Sequence, residues 1–532
     1  MKKLTLLIST IALSFFAFAD EEINSWKNLG PGGGGWYRCV AFSPHEQKLL
    51  IGGDVNGIAL STDLANFRLR NNDVTNTYIQ SIKYHPTNPQ IIFLGTQGGG
   101  AKSSDGGETW TTKRSGFANV EIFEKPAGVR ALAIDSNNPD IIYAGIGFEL
   151  GKNAKCQNYG CIYKSVDCGE TWTKIISIDS VNTAKHSIRN IIIDPNDSNK
   201  LYVLTEGNLF ILNFQNNQWT ITEKTIPDQR NYTCLAIKRD NTNVMLLSFV
   251  NKGFLVEVVQ NGEIKEVEKY KTGILKSIDG GTTWTLLDIL IANQPYDSSG
   301  KGITGIVQPP SDNDTFFAHF HKDNFNGIRK TTDSGDTWSS AINDIAATGD
   351  KAVWCGWVKG ATAFSISPYN SAYMCYVNDM HIYLSENGGD SWERISSRKL
   401  QKNYPDEPDF YESSGADILC ATCMMIDPDN PQNMFLGYMD VAFWSTYDGG
   451  KSFRKHDNFY YYGLKNILNK KNYYGDVERI IHDPDEPNIL YTARELTQGQ
   501  TVVFKSFDSG ETWSTPTGMT NYQVKLNEND EK

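Results

Sequence analysis

Short apolar runs separated by turn residues recur along this chain with the period of a small sheet. Ile79-Gln-Ser-Ile-Lys-Tyr is followed by His85-Pro-Thr-Asn-Pro-Gln and then by Ile91-Ile-Phe-Leu-Gly. Far downstream, Val477-Glu-Arg-Ile-Ile-His leads through Asp483-Pro-Asp-Glu-Pro-Asn to Ile489-Leu-Tyr-Thr-Ala. Each pair of runs precedes a short strand, an Asp-Gly turn and a last strand that opens on tryptophan. Runs of this length bounded by Gly, Pro, Asn and Asp predict strands, and the spacing predicts an antiparallel four-stranded meander. First strands are expected near Val40, Ile79, Val129, Ile188, Cys234, Ile303, Ala363, Cys423 and Val477, which makes nine units. Four-stranded units repeated radially are the blades of a β-propeller. The expected class is all-β, with no helical periodicity in competition.

The turn before each final strand is an octet. Ser103-Ser-Asp-Gly-Gly-Glu-Thr-Trp110 returns as Ser165 to Trp172, Ser277 to Trp284, Thr331 to Trp338, Ser385 to Trp392, Thr446 to Phe453 and Ser506 to Trp513. Spacings of 62, 112, 54, 54, 61 and 60 follow from those positions, and the long gap holds a degenerate copy from Leu209 to Trp219. In such a turn the Asp accepts backbone N–H groups, the Gly supplies positive φ, and the Trp buries surface between blades. Asp105, Asp167, Asp279, Asp333, Asp448 and Asp508 are therefore read as scaffold rather than as catalysts.

Charge and targeting narrow the function. The chain carries 50 Lys plus Arg against 62 Asp plus Glu, a net charge of −12 with no basic run. That removes the electrostatic footprint expected of a nucleic-acid partner. Lys2 and Lys3 precede an apolar run from Leu4 to Phe18 that ends in Ala17-Phe18-Ala19, which reads as a signal peptide over residues 1–19, cleaved before Asp20. No later stretch is apolar enough to span a bilayer. The mature chain is expected outside the cytoplasm, secreted or periplasmic, and monomeric. Of its nine cysteines, Cys156 and Cys161 bracket a turn-like segment and form the candidate disulfide.

Several motifs carry no chemistry. Gly32 to Gly35 and Gly98 to Gly100 lack the following Gly-Lys-Ser/Thr of a phosphate loop. Cys420-x-x-Cys423 lacks a second ligand pair, and His319-x-His321 lacks a third ligand, so no metal or other cofactor is expected. Acidic residues at the end of a unit's second strand are the better lead, because the turns there decorate one face of the ring. Asp54 and Asp440 hold that place, with Glu206 and Asp379 as lesser candidates. Two such carboxyls could protonate a leaving glycosidic oxygen and activate water. Trp36, Tyr37, Trp354, Trp357 and Tyr461 are candidate platforms for sugar rings.

The octets resemble the Asp-box of bacterial sialidases, sortilin and xyloglucan-degrading glycoside hydrolases. Trp26-Lys-Asn-Leu-Gly-Pro-Gly-Gly-Gly-Gly-Trp-Tyr-Arg-Cys-Val-Ala-Phe-Ser-Pro44, continuing to Asp54-Val-Asn-Gly57, resembles the opening of family 74 glycoside hydrolases. The resemblance implies two seven-bladed propellers with a β-glucan or xyloglucan-type polysaccharide held between them and cleaved with inversion. It implies Asp54 as general base and Asp440 as general acid. The motifs depart from the family pattern: Gly53 and Asn56 replace Thr and Gly around Asp54, and Met439 precedes Asp440. Two organisations stay open. Residues 20–532 form one large ring of nine or ten blades, or residues 20–395 form a seven-bladed ring and 396–532 part of a second. Three functions stay open as well: a glycoside hydrolase, a non-catalytic sortilin-like propeller that binds protein or glycan, and a purely structural assembly factor.

Overall fold

The computed structural model describes residues 30–33, 35–117, 128–147, 160–178, 187–226, 231–250, 254–260, 263–269, 272–287, 302–320, 328–341, 361–378, 380–401, 404, 408–417, 420–439, 442–456, 459–460, 477–486, 488–497 and 500–514. Those residues hold no α-helix. They form nine sheets, each built around a four-stranded antiparallel meander, the architecture of a β-propeller. The first sheet runs Tyr37–Phe42, Leu49–Gly53, Ile58–Ser61 and Arg68–Leu69. Sheets two to nine begin on Ile79–Tyr84, Gly128–Ile134, Ile188–Asp194, Asn231–Ile237, Ile303–Val307, Ala363–Ile366, Ala421–Ile426 and Val477–His482. Each expected first strand falls inside one of these.

Neighbouring sheets meet through their first strands, which therefore lie nearest the axis. The succession turns back on itself after seven: Ala363–Ile366 of the seventh sheet lies against Tyr37–Phe42 of the first. A buried cluster joins Tyr37, Phe42, Leu49, Ile51 and Ala59 to Cys375, Val377, Ile382 and Leu384 across that seam. The eighth and ninth sheets pack on each other through Phe435, Phe443, Val477, Phe504 and Trp513. Met380, after the seventh sheet's second strand, packs with Tyr411, Leu436 and Trp444 of the eighth.

The octet tryptophans pack as their placement implied. Trp110 of the second sheet shares a cluster with Leu50, Ile58 and Leu60 of the first, and Trp172 of the third with Phe93 of the second. Truncating such a buried ring to alanine typically costs about 3–5 kcal/mol. Two features had no sequence signature. The fifth sheet carries an extra hairpin, Phe254–Gln260 with Glu263–Lys269, between its second and third strands. The degenerate octet closes instead through Asn216 and Asn217, both at positive φ (51° and 61°), a tight hairpin between Leu209–Gln215 and Gln218–Lys224.

Candidate functional site

Asp54 follows the second strand of the first sheet and opens a tight turn closed by the Gly53 N–H on the Gly57 carbonyl at 2.9 Å. Asn71 clamps the turn, accepting from the Ile58 N–H (2.9 Å) and donating to the Asn56 carbonyl (2.6 Å). The Asp54 N–H donates to the Trp36 carbonyl at 3.1 Å, which fixes the aspartate beside the start of the innermost strand. On the far side of the turn, the Asn56 side chain donates to the carbonyl of Asp417, in the segment that enters the eighth sheet. Asp417 is itself buried, and its carboxyl accepts from Gly32 N–H (2.7 Å) and Ser413 Oγ (2.8 Å). Burial raises its pKa despite those two bonds. The Asp54 turn therefore sits where the seven-sheet ring meets the chain leading onward.

Next to Asp54 stands a group that sequence reasoning missed. Arg38 lies over the Trp36 ring at 4.4 Å and over the Tyr78 ring at 4.7 Å. Arg189 reaches Glu206 at 2.9 Å, and Arg130 reaches the same carboxylate at 3.7 Å and the Ser187 hydroxyl at 3.1 Å. Burial, then the nearby charge of Arg189, push the Arg130 guanidinium down to about 9, against the pull of Glu206. Glu206, read as a lesser catalytic candidate, is thus committed to two arginines. The missed signal was positional: Arg38, Gln80, Arg130 and Arg189 each occupy the second or third residue of a first strand.

The remaining sequence candidates divide. Tyr37 is a correction: it is wholly buried in the seam between first and seventh sheets, and its hydroxyl donates to the Ala416 carbonyl at 2.7 Å, so no ring face is left for a sugar. Trp36 is half-buried with Arg38 covering one face. Asp440, Trp354, Trp357, Tyr461, Asp379 and Cys156 lie outside the described residues, so the Asp54–Asp440 separation and the Cys156–Cys161 pairing are not defined. Met439, before Asp440, is exposed.

The octet carboxylates are saturated by their own turns. Asp105 Oδ1 accepts from Ser103 Oγ (2.8 Å), Glu108 N–H (3.1 Å) and Thr109 N–H (3.0 Å), and Oδ2 from Thr109 Oγ1 (2.5 Å). Asp167, Asp279, Asp333, Asp448 and Asp508 repeat the pattern with their own Ser or Thr partners. In Asp167 and Asp333 burial raises the pKa, yet the turn's hydrogen bonds outweigh it and hold each near 2.

The far end of the first strands borders an open cleft of about 470 Å³ lined by Lys83, Tyr84, Asp135, Asn190, Asp194 and Arg239 among others. Its carboxylates cap turns, Asp135 accepting from the Asn137 N–H (2.9 Å) and Asp194 from the Asn196 N–H (3.0 Å), while the Tyr202 hydroxyl also donates to Asp194 (2.8 Å). His319 Nδ1 pairs with Thr304 Oγ1 at 2.8 Å, and Cys423 Sγ packs on the Val477 carbonyl at 3.7 Å. Among the described residues no three His, Cys, Asp or Glu side chains are grouped to hold a metal, and no helix is long and apolar enough to cross a membrane.

With this geometry the chain can be set beside known proteins. No protein-family profile matches it. It is 25% identical over 413 residues to the xyloglucanase Xgh74A of Acetivibrio thermocellus, covering 61% of this chain and 48% of that enzyme. It is 24% identical over 217 residues to a Paenibacillus xyloglucanase, covering 39% of this chain and 21% of the relative. Among solved structures, an ancestral GH74 enzyme superposes over 92% of this chain and 63% of its own with a TM-score of 0.67 at 15% identity. The fold is that of the GH74 propellers. The GH74 xyloglucanase of Xanthomonas campestris gives 0.62 at 14% identity over 92% of this chain and 68% of that one. The chain spans about half the length of the curated xyloglucanase it matches over 413 residues.

Proposed function

We propose that the protein is an exported glycoside hydrolase-like propeller that acts on a xyloglucan-type β-glucan. The observation that supports this most is the Asp54 turn, held at the junction of the ring and the eighth sheet by the Asn56–Asp417 bond. In this reading residues 20–395 form the seven-bladed ring and residues 396–532 belong to a second unit, with substrate lying across the junction. Asp54 accepts a proton from the attacking water, water oxygen bonds to the anomeric carbon, and Asp440 protonates the departing glycosidic oxygen, so the anomeric configuration inverts.

The test is reducing-sugar release from xyloglucan and a panel of β-glucans, with proton NMR of the first product anomer. Asp54→Asn and Asp440→Asn are each expected to lower release by at least about a hundredfold while leaving xyloglucan binding intact. Binding without release from any polymer, or release unaffected by either change, replaces the hydrolase with a glycan-binding propeller.

A further inference from the structure

The ring's inner strands share an irregularity with a chemical consequence. Near its start, the first strand of each of the first four sheets carries one residue more than its partner strand, a β-bulge, and the extra residues are Arg38, Gln80, Arg130 and Arg189. A bulge re-aims a side chain out of the ladder, and these four adjoin one another around the axis at the mouth that carries Asp54. The described charged groups there are three guanidinium groups against the carboxylates of Asp54 and Glu206. Polar capacity is also left over. Neither amide atom of Gln80, nor the Tyr78 hydroxyl, nor Arg189 Nε has a hydrogen-bond partner among the described residues, although all four atoms are buried. Buried polar atoms in folded proteins are nearly always satisfied, so such a cluster points to a ligand.

We propose that this mouth is a subsite for an anionic sugar, with the two-oxygen acid group seated against Arg38, Arg130 and Arg189 and hydrogen-bonded by Gln80 and Tyr78. Guanidinium forks match carboxylate and sulfate geometry with paired N–H donors, whereas a neutral hydroxyl leaves them unmatched. A bound anion also offsets the mutual repulsion of Arg130 with Arg189 and Arg38. That the anion is carried on a sugar rests on the function proposed above. The substrate class then becomes an acidic polysaccharide, or a β-glucan bearing acidic branches. Uronic carboxylate and sulfate ester are the two sources of this chemistry.

Calorimetric titration of the full chain at low salt decides it, using trigalacturonic acid, a sulfated galactan trisaccharide, inorganic sulfate and a neutral xyloglucan heptasaccharide. An acidic trisaccharide is expected to bind at least about tenfold more tightly than the neutral one, and to weaken as salt rises. Preference between the two acidic sugars identifies the acid group. Arg130→Gln is expected to remove that advantage, and Gln80→Leu, which alters no charge, to reduce it severalfold. Lys83→Gln, in the opposite mouth, leaves it unchanged. Equal binding of the neutral sugar, binding of inorganic sulfate alone, or acidic-sugar binding that survives both Arg130→Gln and Gln80→Leu overturns the inference. Should Arg130→Gln fail to give a cooperative melt, the Gln80→Leu result decides. Hydrolysis of neutral xyloglucan without acidic binding sinks this subsite and keeps the hydrolase; acidic binding without hydrolysis does the reverse.

Discussion

The Thr362 hydroxyl donates to the Tyr37 carbonyl at 2.8 Å, joining residues 325 positions apart where the seventh sheet meets the first. Among the described residues no strand crosses that seam, so side-chain packing closes it. Ile382, wholly buried there, is the sensitive position. Ile382→Ala is expected to cost about 2–5 kcal/mol, and Thr362→Val about 1 kcal/mol, read as shifts of the urea midpoint. A change at Ile382 without effect on stability would mean the seam does not hold the ring shut.

The octet aspartates make stability fall in acid. Asp167 and Asp333 ionise near 2 in the folded chain against an ordinary value of 3.8. A depressed folded pKa contributes stability above about 3.8 that is lost as pH falls toward about 2. Melting temperature followed from pH 5 to pH 2 should drop steeply in the native chain. The drop should be shallower in the Asp167→Asn, Asp333→Asn double variant, which starts lower at pH 5. Binding and any hydrolysis at neutral pH should be unchanged by these substitutions.

One octet position is left-handed in every intact copy. Gly106, Gly280, Gly388 and Gly449 have φ of 70° to 76°, and Cys168, Ser334 and Ser509 hold the same place at 57°, 58° and 55°. A side chain in that region is strained by roughly 1 kcal/mol, while the added chain freedom of glycine offsets part of the gain. Cys168→Gly is expected to raise stability by a few tenths to about 1 kcal/mol, measured by thermal melt. Ser334→Gly and Ser509→Gly gain less, because the Ser334 hydroxyl donates to Asp314 Oδ1 at 2.7 Å and the Ser509 hydroxyl to Asn488 Oδ1 at 3.1 Å.

Asp417 acts with the opposite sign. Burial lifts its folded pKa above 3.8, so its stability term is favourable below that value and is lost as pH rises and the unfolded chain ionises first. Asp417→Asn removes the buried charge but also disturbs the bonds to Gly32 and Ser413. Relative to the native chain, this variant should be clearly destabilised at pH 3.5 and much less so at pH 7. Parallel curves at the two pH values would remove the ionisation from the account.

The repeat architecture was legible because each unit rewrites the same local instructions: an apolar run, a Pro/Asn/Asp turn, a second run and a turn sealed by its own aspartate. Val40 through Val477 were placed on first strands for that reason. The return of sheet seven to sheet one was not, because it depends on how Tyr37, Val377 and Ile382 pack across hundreds of residues, and either ring size satisfies the local pattern. The position of Asp54 was legible, because its place at a second-strand end follows from the template. Tyr37 was misread because an aromatic beside a glycine run looks the same whether it faces solvent or fills a seam. Arg38, Arg130 and Arg189 were invisible singly; only superposing the units shows that one column of the repeat is polar.

Because the residue inserted at each bulge takes no part in the strand register, its identity is decoupled from the hydrogen-bonded frame. Thr233 and Thr304 hold that column in the fifth and sixth sheets, opposite the arginines. The rosette thus sets side chains of differing chemistry on one repeated bulge, and some of them also tie the ring together, as the Thr304 hydroxyl does by donating to the Ala361 carbonyl at 3.0 Å.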